Sequence, residues 1–274
     1  MLLTMIIWNE HKNFWKQIFL LAKNELIKTY KGAAIGPLWA IIKPAFTIFV
    51  YWFAFAIGIR DSRTIGIAIN GQTVRFDFFL FMLPGFVPWF FINDNIVLGA
   101  KSIRLNSQFV TKVSFPVSTI MTFTSLSRLF VHIFLSLIMY IIILFMHGPS
   151  IYNLQFFFYC PLMFLFFTML TWSTAPMSAF SKDFENMIVS IMSGVFWLSG
   201  IMYSSYHKNK IISKVMLFNP INFFVNGYRN AFIYNRPFYW YKTELVIFLA
   251  EFAFVFLLGI FNYNRLRKKL PDVL

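Results

Sequence analysis

Arg128 and His132 are the most informative polar pair in this 274-residue chain. They lie four residues apart inside a long apolar run, so they share one face of a helix. A cation in a lipid-spanning helix costs about 2.5–3.5 kcal/mol near the centre on insertion scales, so it must face another helix or a wet path. Two chemistries fit: contact with an anionic substrate or lipid headgroup, or a structural hydrogen bond to backbone carbonyls. Asp94 and Glu251 also fall within apolar runs. A proton-coupled carrier would place an acid there, but each is more often a span-end residue or a packed polar contact. Lys43 stands near the start of its run and can snorkel to headgroups.

Other reactive arrangements are missing from the sequence. Gly32 and Gly36 are not followed by Gly-Lys-Ser/Thr, so there is no Walker-type phosphate loop. His11, His132, His147 and His207 are scattered and Cys160 is alone, which gives no zinc spacing. No serine sits in a nucleophile elbow, and no carboxylate pair stands at helical spacing in an apolar run. A lipid-linked glycosyl- or acyltransferase would need clustered acids or a histidine-based site. The chain itself therefore carries no expected metal or cofactor.

The elements that position these residues follow from composition. The chain is 59% hydrophobic, 21% aromatic and only 12% charged, with net charge +14 and mean hydropathy +0.67. Soluble domains carry about 25% charged residues, and a chain this long buries only about 70–75% of its surface. That core cannot hide 38 phenylalanines, so lipid must be part of the solvent. A secreted disulfide domain and a cytosolic enzyme are excluded, and an all-α integral membrane protein is expected. The basic excess suits topology and anionic headgroups better than nucleic acid.

A spanning helix needs about 20 mostly apolar residues. Six such runs are expected, at 38–59, 76–98 (interrupted by Pro84 and Pro88), 120–145, 154–180, 187–203 and 245–263. Residues 1–8 are apolar but too short to span, and they lack signal-peptide features. No repeat divides the chain, so 1–274 reads as one domain: an interface segment 1–37, a core 38–263 and a tail 264–274. With the N-terminus inside, 13 of 24 Lys and Arg fall on the cytoplasmic side, nine outside, and Lys43 and Arg128 within spans. This places both termini in the cytoplasm. Trp39, Trp52, Trp89 and Trp240 partly fit the aromatic belts of the two interfaces.

Residues 14–30 carry Trp15, Ile18, Phe19, Ala22, Leu26 and Tyr30 on one helical face, with lysines elsewhere. This predicts an amphipathic helix in the cytoplasmic interface, or else a plain tether. The 203–242 connection is too apolar for a free loop. Pro220 cannot continue a helix entered before it, and Asn219 can cap the one that follows. Two half-helices re-entering the outer leaflet are expected, with an external amphipathic hairpin as the alternative.

At this point the motifs resemble a family. The run from Asn24-Glu25-Leu26 through Gly36-Pro37-Leu38-Trp39, closing at Lys43-Pro44, is similar to the entry of the first span in polysaccharide-exporting ABC-2 permeases. Lys112-Val113-Ser114-Phe115-Pro116 resembles their cytoplasmic Lys-x-x-Phe-Pro element. Asn219-Pro220 through Tyr228-Arg229 resembles their outer segment, and Lys182-Asp183 stands where Arg-Asp is usual. Val50-Tyr51-Trp52-Phe53, Trp89-Phe90-Phe91-Ile92-Asn93 and Ser127-Arg128 with His132 look most like wall teichoic acid exporters, with O-antigen and capsule permeases as near neighbours. Ser199-Gly200-Ile201 departs from the usual Ser-Pro-Ile turn.

The resemblance implies six spans and a separate ABC ATPase in two copies that holds ATP and magnesium. It also implies a second permease copy and an undecaprenyl-type lipid-linked anionic polymer, in a bacterial cytoplasmic membrane. Lys101, Arg104, Lys112, Phe115, Pro116, Lys182 and Asp183 would couple to the ATPase. Arg128, His132, Trp89 and Phe90 would line the substrate path. Asn219, Pro220, Tyr228 and Arg229 would form the outer gate.

Overall fold

The computed structural model describes residues 2–59, 63–69, 72–113, 115–205 and 210–274. Ser114 and His207, named above, lie outside the described residues. Five described helical stretches are long and apolar enough to cross a membrane: Gly36–Ile59, Phe78–Leu105, Val117–Met146, Ile151–Phe180 and Lys242–Lys269. They correspond to expected spans one to four and six, each two to nine residues longer.

The first helices are α1 (Leu2–Lys12), α2 (Trp15–Tyr30) and α3 (Trp39–Trp52), the last continuing as a π-helical stretch, Phe53–Ile59. An antiparallel ribbon follows, β1 (Thr64–Ile69) with β2 (Gln72–Asp77). Then come α4 (Phe78–Leu105), α5 (Ser107–Thr111), α6 (Val117–Met146), α7 (Phe156–Phe180) and α8 (Lys182–Trp197). The chain ends with α9 (Lys210–Leu217), α10 (Pro220–Arg229) and α11 (Lys242–Leu266).

The ribbon was not expected. Its signal was present as Ile65 and Ile67 alternating against Val74 and Phe76 across Asn70-Gly71, the dipeptide that two-residue hairpins favour. The search for 20-residue apolar runs passed over it.

The central post is α4, packed by α6, α7, α8 and α10. The expected interruption at Pro84 and Pro88 is corrected, because the helix runs through both. Each proline withholds one N–H from the ladder, and neighbouring helices can re-satisfy the freed groups. Elsewhere on α4, neighbouring helices reach its carbonyls: Arg229 Nε donates to Phe81 O at 3.3 Å, and His132 Nδ1 lies 3.3 Å from Val87 O. Gly227 lets α10 approach α7, since a Cβ there would collide with the Tyr159 ring.

The expected face of the 14–30 helix divides in two. Ile18 and Ala22 are buried, with α2 packed against α6, whereas Trp15 and Phe19 are exposed. Span five is shifted rather than shortened: α8 has 16 residues against an expected 17, begins five residues earlier at Lys182, and gives way to a turn through 203.

The apolar N-terminus folds as α1 and is tied through Glu10 to the first turn of α6 and the end of α11. Glu10 Oε2 accepts from the Tyr263 hydroxyl at 2.6 Å and from the Ser118 backbone N–H at 3.2 Å. Glu10 Oε1 pairs with Arg267 Nη1 at 3.0 Å. A carboxylate at the first turn of α6 is also favoured by the helix dipole. The end of α1, the start of α6 and the end of α11 therefore meet at one end of the bundle.

Candidate functional site

A cavity of about 640 Å³ opens between α2, α3, α4 and α6. All four residues expected on a substrate path line it: Trp89, Phe90, Arg128 and His132. Lys43, Asp94, Thr29 and Tyr30 add polar groups to its wall. Trp89, expected in part at an interface, is instead buried against Phe196 with ring centroids 5.4 Å apart. The interior of α4 leaves that indole no interface to reach.

Arg128 and His132 share a face but serve different partners. His132 is fully enclosed. Its Nε2 is 2.7 Å from the Tyr228 hydroxyl and its Nδ1 faces the Val87 carbonyl, so both ring nitrogens are engaged. Arg128 is 7% exposed. Among the described residues its guanidinium makes one hydrogen bond, Nη2 to Thr29 Oγ1 at 3.1 Å, and its Nε has no partner.

Arg229 is the contrast. It is 0% exposed, and its guanidinium donates to Gly200 O at 2.7 Å, to Ile201 O at 2.5 Å and to Phe81 O. Its carbon also stacks 3.7 Å from the Phe81 ring centroid. Charge-assisted bonds of this kind are about twice as strong as neutral ones, and together they offset the cost of burial. Asn219 grips the same turn, donating to Leu198 O at 2.9 Å and to Ser199 Oγ at 3.0 Å, while its Oδ1 caps Ile221 N–H at 3.0 Å. Pro220 occupies the first position of α10, where no backbone donor is needed. The four residues expected at an outer gate thus lie together on α10 and its cap. Two of them hold the 198–203 turn, and Tyr228 reaches inward to His132.

The expected coupling residues gather at the Glu10 end. Lys101 and Arg104 pair with the two oxygens of Glu185 at 3.5 and 3.6 Å, and Arg104 also donates to the Ser178 carbonyl. Phe115 packs edge-on to Phe14 at 5.3 Å, and Pro116 precedes the first turn of α6. Lys112, Lys182 and Asp183 are exposed.

Reasoning from sequence missed Glu10, Ser118, Tyr263 and Arg267, and it missed Glu185 as the partner of two basic residues. None of these carries a local motif, because each acquires its partner across more than 80 residues of chain. His11 belongs to the same cluster. Burial pushes its imidazole pKa down, against the opposing pull of the Ile7 carbonyl and Glu10.

Five described helical stretches long and apolar enough to cross a membrane fit a multi-pass membrane protein, and three of them, with α2, enclose a polar, arginine-bearing cavity. The ABC-2 type transporter family matches residues 16–233, and the chain belongs to that family of transporter membrane subunits. It is similar to the O-antigen export system permease protein RfbA of Myxococcus xanthus, at 24% identity over 79% of this chain and 80% of that one. It is also similar to the protein of the same name from Klebsiella pneumoniae, at 22% identity over 94% of both.

Proposed function

We propose that the chain is the membrane-spanning subunit of a bacterial exporter that carries an undecaprenyl-type lipid-linked polysaccharide across the cytoplasmic membrane. The observation that carries this reading is Arg128: a buried guanidinium with an unpartnered Nε, beside Lys43, on the wall of a large polar cavity. The phosphate groups joining such a polymer to its lipid would supply the missing acceptors, since a guanidinium fork matches phosphate oxygens. Trp89 and Phe90 give apolar wall beside them. The names of the relatives favour an O-antigen-like polysaccharide. The motif resemblance favours wall teichoic acid, and both polymers present the same phosphate chemistry at the lipid.

In this reading α8 is a sixth span. Its first turn reaches Lys101 and Arg104 through Glu185, and the turn beyond it reaches Phe81 through Arg229. Those anchor points on α4 are separated by about 30 Å at 1.5 Å per residue, close to the hydrocarbon thickness of about 30 Å. Six crossings agree with α1 and the end of α11 meeting at Glu10, and the basic bias assigns that end to the cytoplasm. The α9–α10 pair is the re-entrant element. The whole chain forms one transmembrane domain.

Two ATPase subunits, holding ATP and magnesium, dock where Lys112, Phe115, Lys182 and Asp183 lie. A second copy of the chain covers the lightly packed α3. Purified alone, the chain should hydrolyse no ATP; co-expressed with its ATPase, two copies of each should elute together. A monomer with its own ATP turnover would contradict the reading.

A further inference from the structure

A second cavity, of about 480 Å³, lies where α9, α10 and the first turn of α11 meet, at the opposite end of α11 from Tyr263. It shares no lining residue with the Arg128 cavity. Its floor is made by Ser205, Asn222, Asn226 and Glu244, all buried. Asn226 Nδ2 donates to Glu244 Oε1 at 2.7 Å, Asn222 Nδ2 reaches the same oxygen at 3.5 Å, and Ser205 Oγ donates to Asn226 Oδ1 at 3.0 Å. Asn222 Oδ1 has no partner among the described residues. Trp240, 46% exposed, and Lys242 stand at the rim.

Buried polar side chains are costly unless their hydrogen bonds are met. A purely structural network would close over its amides, but this one borders open volume. Among the described residues the lining balances one lysine against one glutamate, so it carries no net charge there. A phosphate would meet the Glu244 carboxylate, and an acyl chain would strand the amides and hydroxyls. A neutral polyhydroxylated ring suits it better. Its hydroxyls can donate to the carboxylate and accept from N–H and O–H groups, and its C–H face can lie on the indole of Trp240.

We propose that this cavity binds a neutral sugar or polyol unit. The proposal rests on the export reading for its purpose, a foothold for the polymer away from Arg128, but its binding test needs neither ATPase nor transport. Saturation-transfer NMR on the detergent-purified full chain would use N-acetylglucosamine, mannose, rhamnose and ribitol as separate probes, with inorganic phosphate as a fifth. Transfer to at least one sugar or polyol is expected. It should be lost in Trp240→Ala, and also in Ser213→Leu, which fills the cavity from a half-exposed position; size-exclusion profiles confirm that both variants stay folded. Transfer to none of the four, equal transfer in both variants, or transfer to phosphate alone would overturn the proposal. Absent export by the unaltered complex, with sugar binding intact, would count against the export reading alone.

Discussion

The Nε2 atom of His132 lies 2.7 Å from the Tyr228 hydroxyl, joining the helix that carries Arg128 to the helix that follows the Asn219-Pro220 break. Both side chains are buried, so water does not compete for the bond. A change at the α10 cap therefore has a direct path to the wall of the Arg128 cavity, through one turn of α6.

Tyr228→Phe removes this bond and little else in volume. A net loss of about 1 kcal/mol is expected for one such hydrogen bond, seen as a modestly lower thermal midpoint of the purified chain. Export should fall further than stability does, while assembly with the ATPase is retained. Unchanged export in Tyr228→Phe would show that the two helices are not coupled through this contact.

Gly200 has φ +63° and a Cβ built on it would sit 2.8 Å from Asn222 Oδ1. Gly200→Ala should destabilise the chain by about 1–2 kcal/mol, the cost of left-handed backbone for an L-residue, and should loosen the turn that Arg229 holds. Gly194 is the control: it lies inside α8 with nothing within 4 Å of a built Cβ. Alanine there should be neutral or stabilising by about 0.5–1 kcal/mol. Thermal midpoints of the two variants, measured side by side, check the difference in sign.

His11 gives a pH dependence. Its imidazole is held neutral by burial, with Nδ1 2.7 Å from Ile7 O and Nε2 2.8 Å from Thr122 Oγ1. Glu10, itself paired with Arg267, is the charged neighbour. The folded pKa lies below the ordinary 6.5, so as pH falls below that value the unfolded state takes up a proton that the folded state refuses. Stability contributed by neutral His11 is therefore complete above about pH 6.5 and is lost as pH falls towards the folded pKa. Thermal midpoints at pH 7.5 and 5.5 should differ more for the native chain than for His11→Asn. Equal differences would remove His11 as the cause.

Much of this architecture was legible because lipid imposes a simple length rule. Spans one to four and six follow from apolar runs, and the break at Asn219-Pro220 follows from proline's missing donor and asparagine's capping chemistry. The short α8 was harder to read, since its 16 residues stop where Gly200 turns the backbone. Arg128 was legible as a residue that needs a partner. Which partner it lacked was not, because Thr29 reaches it from 99 residues away and the open Nε is a property of the packed site. Glu10 was invisible for the same reason: a lone acid in an amphipathic stretch looks solvated until Tyr263 and Arg267 come from the far end of the chain.

Arg128 is the residue on which phosphate recognition in the cavity rests. The decisive measurement is the export rate of a lipid-linked polysaccharide in vesicles holding the chain with its ATPase, for native, Arg128→Lys and Arg128→Ala proteins of equal folded content. Losing a charge-assisted phosphate contact of about 1.5–3 kcal/mol should slow Arg128→Ala by about tenfold or more, and Arg128→Lys should retain an intermediate rate. Export by Arg128→Ala at the native rate would show that the guanidinium is structural and that the cavity does not receive the phosphate end of the substrate.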